Sequence, residues 1–370
     1  MLERVKLENF KCFSCQEIPL KQISVLTGLN GMGKSTVLQS LLLLRQSSES
    51  GRITKGLKLN GEYASLGSGR DVLYRNALSD EIRLTVWENK DVRSYTFAYE
   101  ADSGILPLNY SSDDEFPIPS SALFSTNFLY LSSARIEPKM SYGLTADPSQ
   151  LENHEFGANG EFSLQYLAVH GDDKVRCTKA IRETDSDTQK DSLKEQLQIW
   201  YDEISPGVAP HVKLDVYHRM VDLDYDYREG DNRSDFYKSV NVGFGITYVL
   251  PVLISLLASK PGDLILMENP EAHIHPRGQR MLGELIARVA ASGVQIIIET
   301  HSDHILNGIR ISVKNGIVDS NDVQLAYFEQ KQYDDYAHTV VFPKMYPSGQ
   351  ISEWPEGFFD EWQNALLDLL

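Results

Sequence analysis

Residues 28–36 read Gly28, Leu29, Asn30, Gly31, Met32, Gly33, Lys34, Ser35, Thr36, the spacing G-x-x-x-x-G-K-S. An apolar run at 23–27 precedes it and another at 37–44 follows. Strand, glycine loop and helix in that order predict a phosphate-binding loop on an α/β sheet. Glycines let the backbone curl so that successive N–H groups point at an anion, and the start of the next helix adds partial positive charge. In that reading Lys34 reaches the outer phosphates and Ser35 takes one place on Mg²⁺. Asn30, Gly31, Gly33 and Thr36 complete the cradle.

Composition narrows the rest. A chain of 370 residues with 42% hydrophobic content suits one large soluble domain or two interleaved lobes. No apolar stretch reaches the roughly 20 residues of a membrane span, and the first residues lack the apolar core of a secretory signal. Three cysteines are too few for a disulfide framework, so a cytoplasmic location is expected. Cys12 and Cys15 spell C-x-x-C, but no second pair completes a zinc site, and they read as incidental cysteines near a turn. A net charge of −17 argues against broad, unaided binding of nucleic acid, while allowing a local basic groove or a partner that supplies the contacts.

Along the chain, 3–10 and 23–27 read as strands and 61–71 as a loop, with a hairpin at 81–88 and 92–99. Residues 101–122 read as a loop and 128–132 as a short strand. A helical run follows at 162–169, then an exposed helical excursion at 171–195 and a helix at 193–204. Strands are expected at 211–217, 221–227 and 240–244. From 246 the pattern alternates: helix 246–258, strand 264–267, helix 278–291, strand 294–298 and helix 303–313. That alternation implies a parallel sheet covered on both faces. The last strands are placed at 324–328 and 339–342, with a terminal helix from 355.

The strand at 264–267 ends in Glu268, Asn269, Pro270 and Glu271. Strand ends of a parallel sheet converge on the nucleotide crevice, and Glu268 is placed to hold Mg²⁺ directly or through water. The next strand ends at His301, which can contact a terminal phosphate and sense its loss. Asn241, Gly243 and Gly245 form a small-residue turn opening a helix, a second anion site.

This order of motifs resembles the ABC-type ATPase heads of the SMC/RecF class. The opening residues, 5–11, look like that class's N-terminal strand, and 268–276 resembles the acidic motif of the overcoming-lysogenization-defect ATPases. Most of all the chain resembles compact AAA-type ATPases with a C-terminal domain of unknown function, whose tail motif matches Trp354, Pro355, Gly357, Phe358, Phe359 and Asp360. The resemblance covers nearly the whole chain. It implies an α/β fold, an ABC-ATPase head (P-loop NTPase) with a mixed sheet core, an antiparallel β subdomain and a helical lobe. One ATPase domain would then run over 1–370, with lobe I at about 1–135 plus 240–345. A helical and β insertion falls at about 136–239 and a tail at about 346–370.

The resemblance also implies ATP and Mg²⁺ as cofactors and a homodimer that sandwiches two nucleotides. The turn at Asn241, Gly243 and Gly245 in one copy caps the phosphate bound by the other. ATP then acts as the glue, within a pair or a larger assembly. A separate effector such as a nuclease, in phage defence or DNA repair, is the implied partner, with nucleic acid allowed and no membrane. Glu268, Asn269, Glu271 and His301 are the expected catalytic residues, and Ser35 and Glu268 the metal ligands.

One departure matters. Relatives carry Asp-Glu where this chain has Glu268 and Asn269. Asparagine can orient a water but cannot accept its proton, so slow hydrolysis is expected, with Glu271 as the nearest substitute. Two other readings stay open. The first is a metal-dependent hydrolase using Glu271, His273, His275, His301, Asp303 and His304. The second is an ATP-binding scaffold that does not hydrolyse. Residues 67–71 read as a nucleotide-linking loop or a plain surface loop. Arg135 reads as structural, with pairing to an acid or a partner as alternatives. Asp222, Asp224 and Asp226 read as a solvated strand face, and Trp354, Phe358, Phe359 and Trp362 as a tail cluster packed on the body.

Overall fold

The computed structural model describes the chain except for residues 52, 90, 110–120, 154, 184–189, 230–231, 331–337, 356, 360–365, 367–368 and 370. It forms two compact units. The first comprises Met1–Ser125, Asn321–Tyr346 and Ile351–Leu370; the second comprises Thr126–Ser320 and Pro347–Gln350. The fold is α/β with both parallel and antiparallel pairing.

In the first unit an antiparallel sheet runs in the order Phe13–Pro19, Leu2–Phe10, Glu81–Glu88, Asp91–Ala98. Leu2, Val5, Leu7 and Phe10 are buried, and their departure from strict alternation coincides with a register shift between Leu2 and Arg4. Asn89 turns the hairpin at φ 55°, a conformation asparagine tolerates. The strand Ile23–Gly28 is buried at every position and pairs in parallel with Val323–Gln330, which pairs antiparallel with His338–Val341. Residues 67–71 form a structural cap. Ser68 and Asp71 make a reciprocal capping box for the short helix Gly69–Val72.

The tail closes on this unit. Phe358 is buried with its ring 5.3 Å from Tyr327, and it lies tilted against Trp354 and edge-on to Phe359. Trp362 and most of the expected terminal helix lie outside the described residues.

The second unit is built on a parallel triplet, Gln295–Glu299, Leu264–Glu268 and Phe128–Leu131. These strands are almost wholly buried, hence their continuous apolar runs. Helices Pro276–Ala291 and Asp303–Lys314 approach closely through glycine. A Cβ on Gly283 would lie 2.3 Å from the Ile305 carbonyl, and one on Gly308 would lie 2.2 Å from that of Arg280. An antiparallel pair, Val208–Asp215 with Met220–Glu229, gains Tyr142–Gly143 and Tyr237–Lys238, both against Met220–Glu229.

Four sequence readings are corrected. The third strand near 240 is Tyr237–Lys238, and 239–241 is a 3-10 turn, because Gly243 and Gly245 favour a turn over a ladder. The helix at 246–258 is two segments, Phe244–Tyr248 and Leu250–Ala258, with Pro251 in the first turn of the second. The described part of 171–191 is exposed at most of its polar positions, as expected, but holds one 3-10 turn, Thr178–Ala180, in place of a helix, and it is anchored by Cys177, which is buried with its thiol donating to the Ser259 carbonyl at 3.3 Å. Asp226 is 1% exposed, 3.4 Å from His211 and 3.5 Å from Arg233, whereas Asp222 and Asp224 flank Lys238. Alternation predicts which side chains share a face, but not which face is covered.

Candidate functional site

In the first unit the strand Ile23–Gly28 delivers the chain to the glycine loop. Gly28 sits at φ 138°, and a Cβ there would lie 2.2 Å from the Phe328 carbonyl of the paired strand. Gly31 and Gly33 also take positive φ, 81° and 102°. A Cβ on Gly33 would strike the Phe13 ring and the Cys12 sulfur, whereas the position on Gly31 is open. Leu29, Asn30 and Gly31 are exposed.

Gly33 then caps the helix Lys34–Glu49, whose first turn has neither an acidic residue nor a side-chain cap. The dipole at this end is therefore not offset locally. Lys34 is buried, and its ammonium donates to the carbonyls of Gly28 and Leu29, at 2.8 Å each. Cys12 stands 3.7 Å from the Thr36 hydroxyl, and burial pushes its thiol up. None of the three cysteines is in a disulfide.

In the second unit Glu268 ends its strand in register with Glu299. Its carboxylate accepts from the Tyr130 hydroxyl at 2.9 Å and from the Ser133 N–H at 3.2 Å. Burial and the neighbouring Glu268 raise the Tyr130 phenol, so it stays a donor. Arg135 binds backbone: it donates to the carbonyls of Ser132 at 3.1 Å, Glu268 at 2.8 Å and Asn269 at 2.5 Å. It forms no ion pair with a carboxylate among the described residues.

Asn269 is left-handed at φ 42°, and its N–H donates to the Glu299 carbonyl at 2.7 Å. Its side-chain oxygen is buried and has no hydrogen-bond partner among the described residues. Glu271 is buried and accepts the His301 N–H at 2.8 Å. Burial raises its carboxyl above the usual glutamate range. Ser302 caps the helix Asp303–Lys314 and donates to Gln279 at 2.6 Å, tying the segment after His301 to the segment after Glu271.

The turn at Asn241, Gly243 and Gly245 packs beside the acidic loop of its own chain. A Cβ on Gly245 would lie 2.0 Å from the His273 carbonyl. The His273 ring sits edge-on to Phe244 and Tyr248, and His275 caps the helix Pro276–Ala291. Among the described residues no three His, Cys, Asp or Glu side chains come together to hold a metal, so the metal-hydrolase reading of His273, His275 and His301 finds no ligand group. A magnesium nucleotide asks less of the protein, because Mg²⁺ takes one or two side-chain oxygens and fills its sphere with water and phosphate. An open glycine loop at an uncapped helix start suits a phosphate, and the Glu268 carboxylate suits such an ion.

Tyr130, Tyr248 and the carbonyl-binding role of Arg135 were not foreseen from the sequence. Tyr130 reads as one more apolar strand residue, and only the pairing of Leu266 with Tyr130 puts its hydroxyl near Glu268.

Residues 23–307 match the family described as "AAA domain, putative AbiEii toxin, Type IV TA system", and residues 318–369 match DUF3696, a protein family of unknown function. The chain belongs to this AAA-domain family, as the resemblance to P-loop ATPases of the SMC and overcoming-lysogenization-defect class implied, and the expected C-terminal domain is present. It is 24% identical to the OLD nuclease of Thermus scotoductus over 326 residues, 82% of this chain and 59% of that protein. The chain thus spans under two thirds of that relative's length. Two solved structures align across most of the chain. The SMC head domain from Thermotoga maritima is 12% identical with TM-score 0.46, covering 92% of this chain and 98% of that one. An Smc head bound to the C-terminal domain of ScpA derived from Pyrococcus furiosus is 13% identical with TM-score 0.48, covering 100% and 99%. No described helix is long and apolar enough to cross a membrane.

Proposed function

We propose that this protein binds ATP with Mg²⁺ and hydrolyses it slowly, as an ABC-type ATPase whose nucleotide state controls self-association and, through it, a partner effector. The observation that carries the reading is the loop around Gly31 and Gly33, left-handed at both glycines, leading into an uncapped helix headed by Lys34. In the proposal Asn30, Gly31, Gly33, Lys34, Ser35 and Thr36 hold the phosphates. Ser35 and Glu268 hold Mg²⁺, Asn269 orients the attacking water, and His301 senses the terminal phosphate. Glu271 is assigned to holding the His301 backbone, because one of its oxygens is committed there. Bound Mg²⁺ would supply charge neutralisation for the phosphoryl group.

Asn241, Gly243 and Gly245 are proposed to meet the nucleotide of a second copy, making a homodimer or a larger assembly. The likeness to an OLD nuclease supports an effector that acts on nucleic acid; we propose a separate nuclease in phage defence or DNA repair. Sedimentation with and without ATP and Mg²⁺ tests the switch, with a shift to dimer expected on nucleotide. No shift would remove it. A second reading, an ATP-binding scaffold without turnover, draws on Asn269, whose amide cannot take a proton from water. A single-turnover assay separates the two.

A further inference from the structure

The guanidinium of Arg135 is 3% exposed and is held by carbonyls. Burying a guanidinium is costly unless its N–H groups are hydrogen-bonded, and here backbone carbonyls fill that need. Its Nη atoms grip the carbonyls of Ser132, Glu268 and Asn269, the last two bracketing the left-handed Asn269. Its guanidinium carbon lies over the Tyr248 ring, 4.4 Å from the ring centre. The Tyr248 hydroxyl donates to the Ser133 carbonyl, and the Ser133 N–H donates to the Glu268 carboxylate at 3.2 Å. These contacts close a ring: Tyr248, Ser133, Glu268, Arg135 and back to Tyr248. Tyr248 is also the last residue of the helix Phe244–Tyr248, which opens at the glycine turn and packs through Gly245 on the His273 backbone.

We propose that Arg135 is a positioning residue for turnover: it fixes the backbone on both sides of Asn269, and Tyr248 makes that position depend on the helix that opens at the glycine turn. A displacement of the turn is thereby passed to the groups that orient the metal and the water. The inference rests on the ATPase reading above.

The test uses the full chain as wild type, Arg135→Lys, Tyr248→Leu and the double variant. Each is measured for affinity for a fluorescent ATP analogue, for kcat and KM, and for Tm. A point ammonium cannot span carbonyls that a planar fork spans. Arg135→Lys is therefore expected to bind the analogue within about twofold of wild type while kcat falls about tenfold, the size of one charge-assisted hydrogen bond. Tyr248→Leu should lower kcat similarly, and the double variant should add little, because both act through one element. Wild-type kcat in a folded Arg135→Lys overturns the proposal, as does a fall in kcat matched by an equal loss of affinity. If Arg135→Lys does not fold, wild-type kcat in Tyr248→Leu overturns it. A wild type that binds ATP without turning it over removes the ATPase reading and this proposal together. Turnover that is indifferent to both variants removes this proposal alone.

Discussion

The Tyr130 hydroxyl donates to the Glu268 carboxylate at 2.9 Å from the adjacent parallel strand, so the acid at the strand end is aimed by a neighbour as well as by its own backbone. Tyr130→Phe removes that donor and little volume. A hydrogen bond to a charged group contributes about 1.5–3 kcal/mol. The variant should need about tenfold or more Mg²⁺ for half-maximal ATPase activity, with ATP affinity in excess Mg²⁺ nearly unchanged. A magnesium titration of the rate checks this.

Lys34→Ala removes the charge at the head of the phosphate helix and its bonds to Gly28 and Leu29. ATP affinity should fall by about two orders of magnitude, the scale of a buried charge-assisted contact to phosphate. Isothermal titration gives the value; unchanged affinity removes the assignment of this loop.

Asn269 carries the largest chemical question. Asn269→Glu supplies a carboxylate that can take a proton from water, and single-turnover hydrolysis should speed up. The position is left-handed at φ 42°, which a longer side chain tolerates less well than asparagine, so stability should drop by about 1 kcal/mol, or about a degree in Tm. A faster rate with a lower Tm is the expected pair of results.

Glu271 has a raised carboxyl, so the folded chain holds its proton more tightly than the unfolded chain does. As pH rises from the ordinary glutamate value to the raised one, the folded state binds more protons than the unfolded, and stability falls through that window. Above it the loss is constant. Glu271→Gln keeps an oxygen for the His301 N–H and removes the titration. It should be more stable than wild type at neutral pH, with no advantage below the ordinary glutamate range. Urea unfolding at the two pH values measures the difference.

Gly245→Ala puts a Cβ against the His273 carbonyl, where the built distance is 2.0 Å. Backbone must move to admit it, at a cost of about 1–3 kcal/mol. Lower Tm and loss of ATP-dependent association in sedimentation are the expected outcomes.

The phosphate loop and the acidic strand were legible because each is written in consecutive residues: an apolar run, then the glycines with Lys34, or an apolar run, then Glu268. Arg135 was visible as a residue of interest but not as a carbonyl clamp, since backbone acceptors leave no mark in sequence. The stretch at 240–244 misled because Val240 and Val242 alternate like a strand, while Gly243 and Gly245 set the local conformation. Asp226 misled for a different reason. Its alternation with Tyr225 and Tyr227 is real, but its burial beside His211 and Arg233 comes from the strands that flank it, which alternation along one strand does not reveal.

The tail bears on how the molecule can be handled. Phe358 rests against Tyr327, a Cβ on Gly357 would lie 2.7 Å from the Tyr327 hydroxyl, and Tyr327 is in register with Thr27 on the strand that feeds the glycine loop. A deletion or bulky fusion that disturbs Trp354, Phe358 and Phe359 would strip the cover from a side chain one ladder rung from the glycine loop. Labels for pull-down or imaging are better carried on the Glu81–Glu88 and Asp91–Ala98 hairpin, where Asn89 already makes a tight turn.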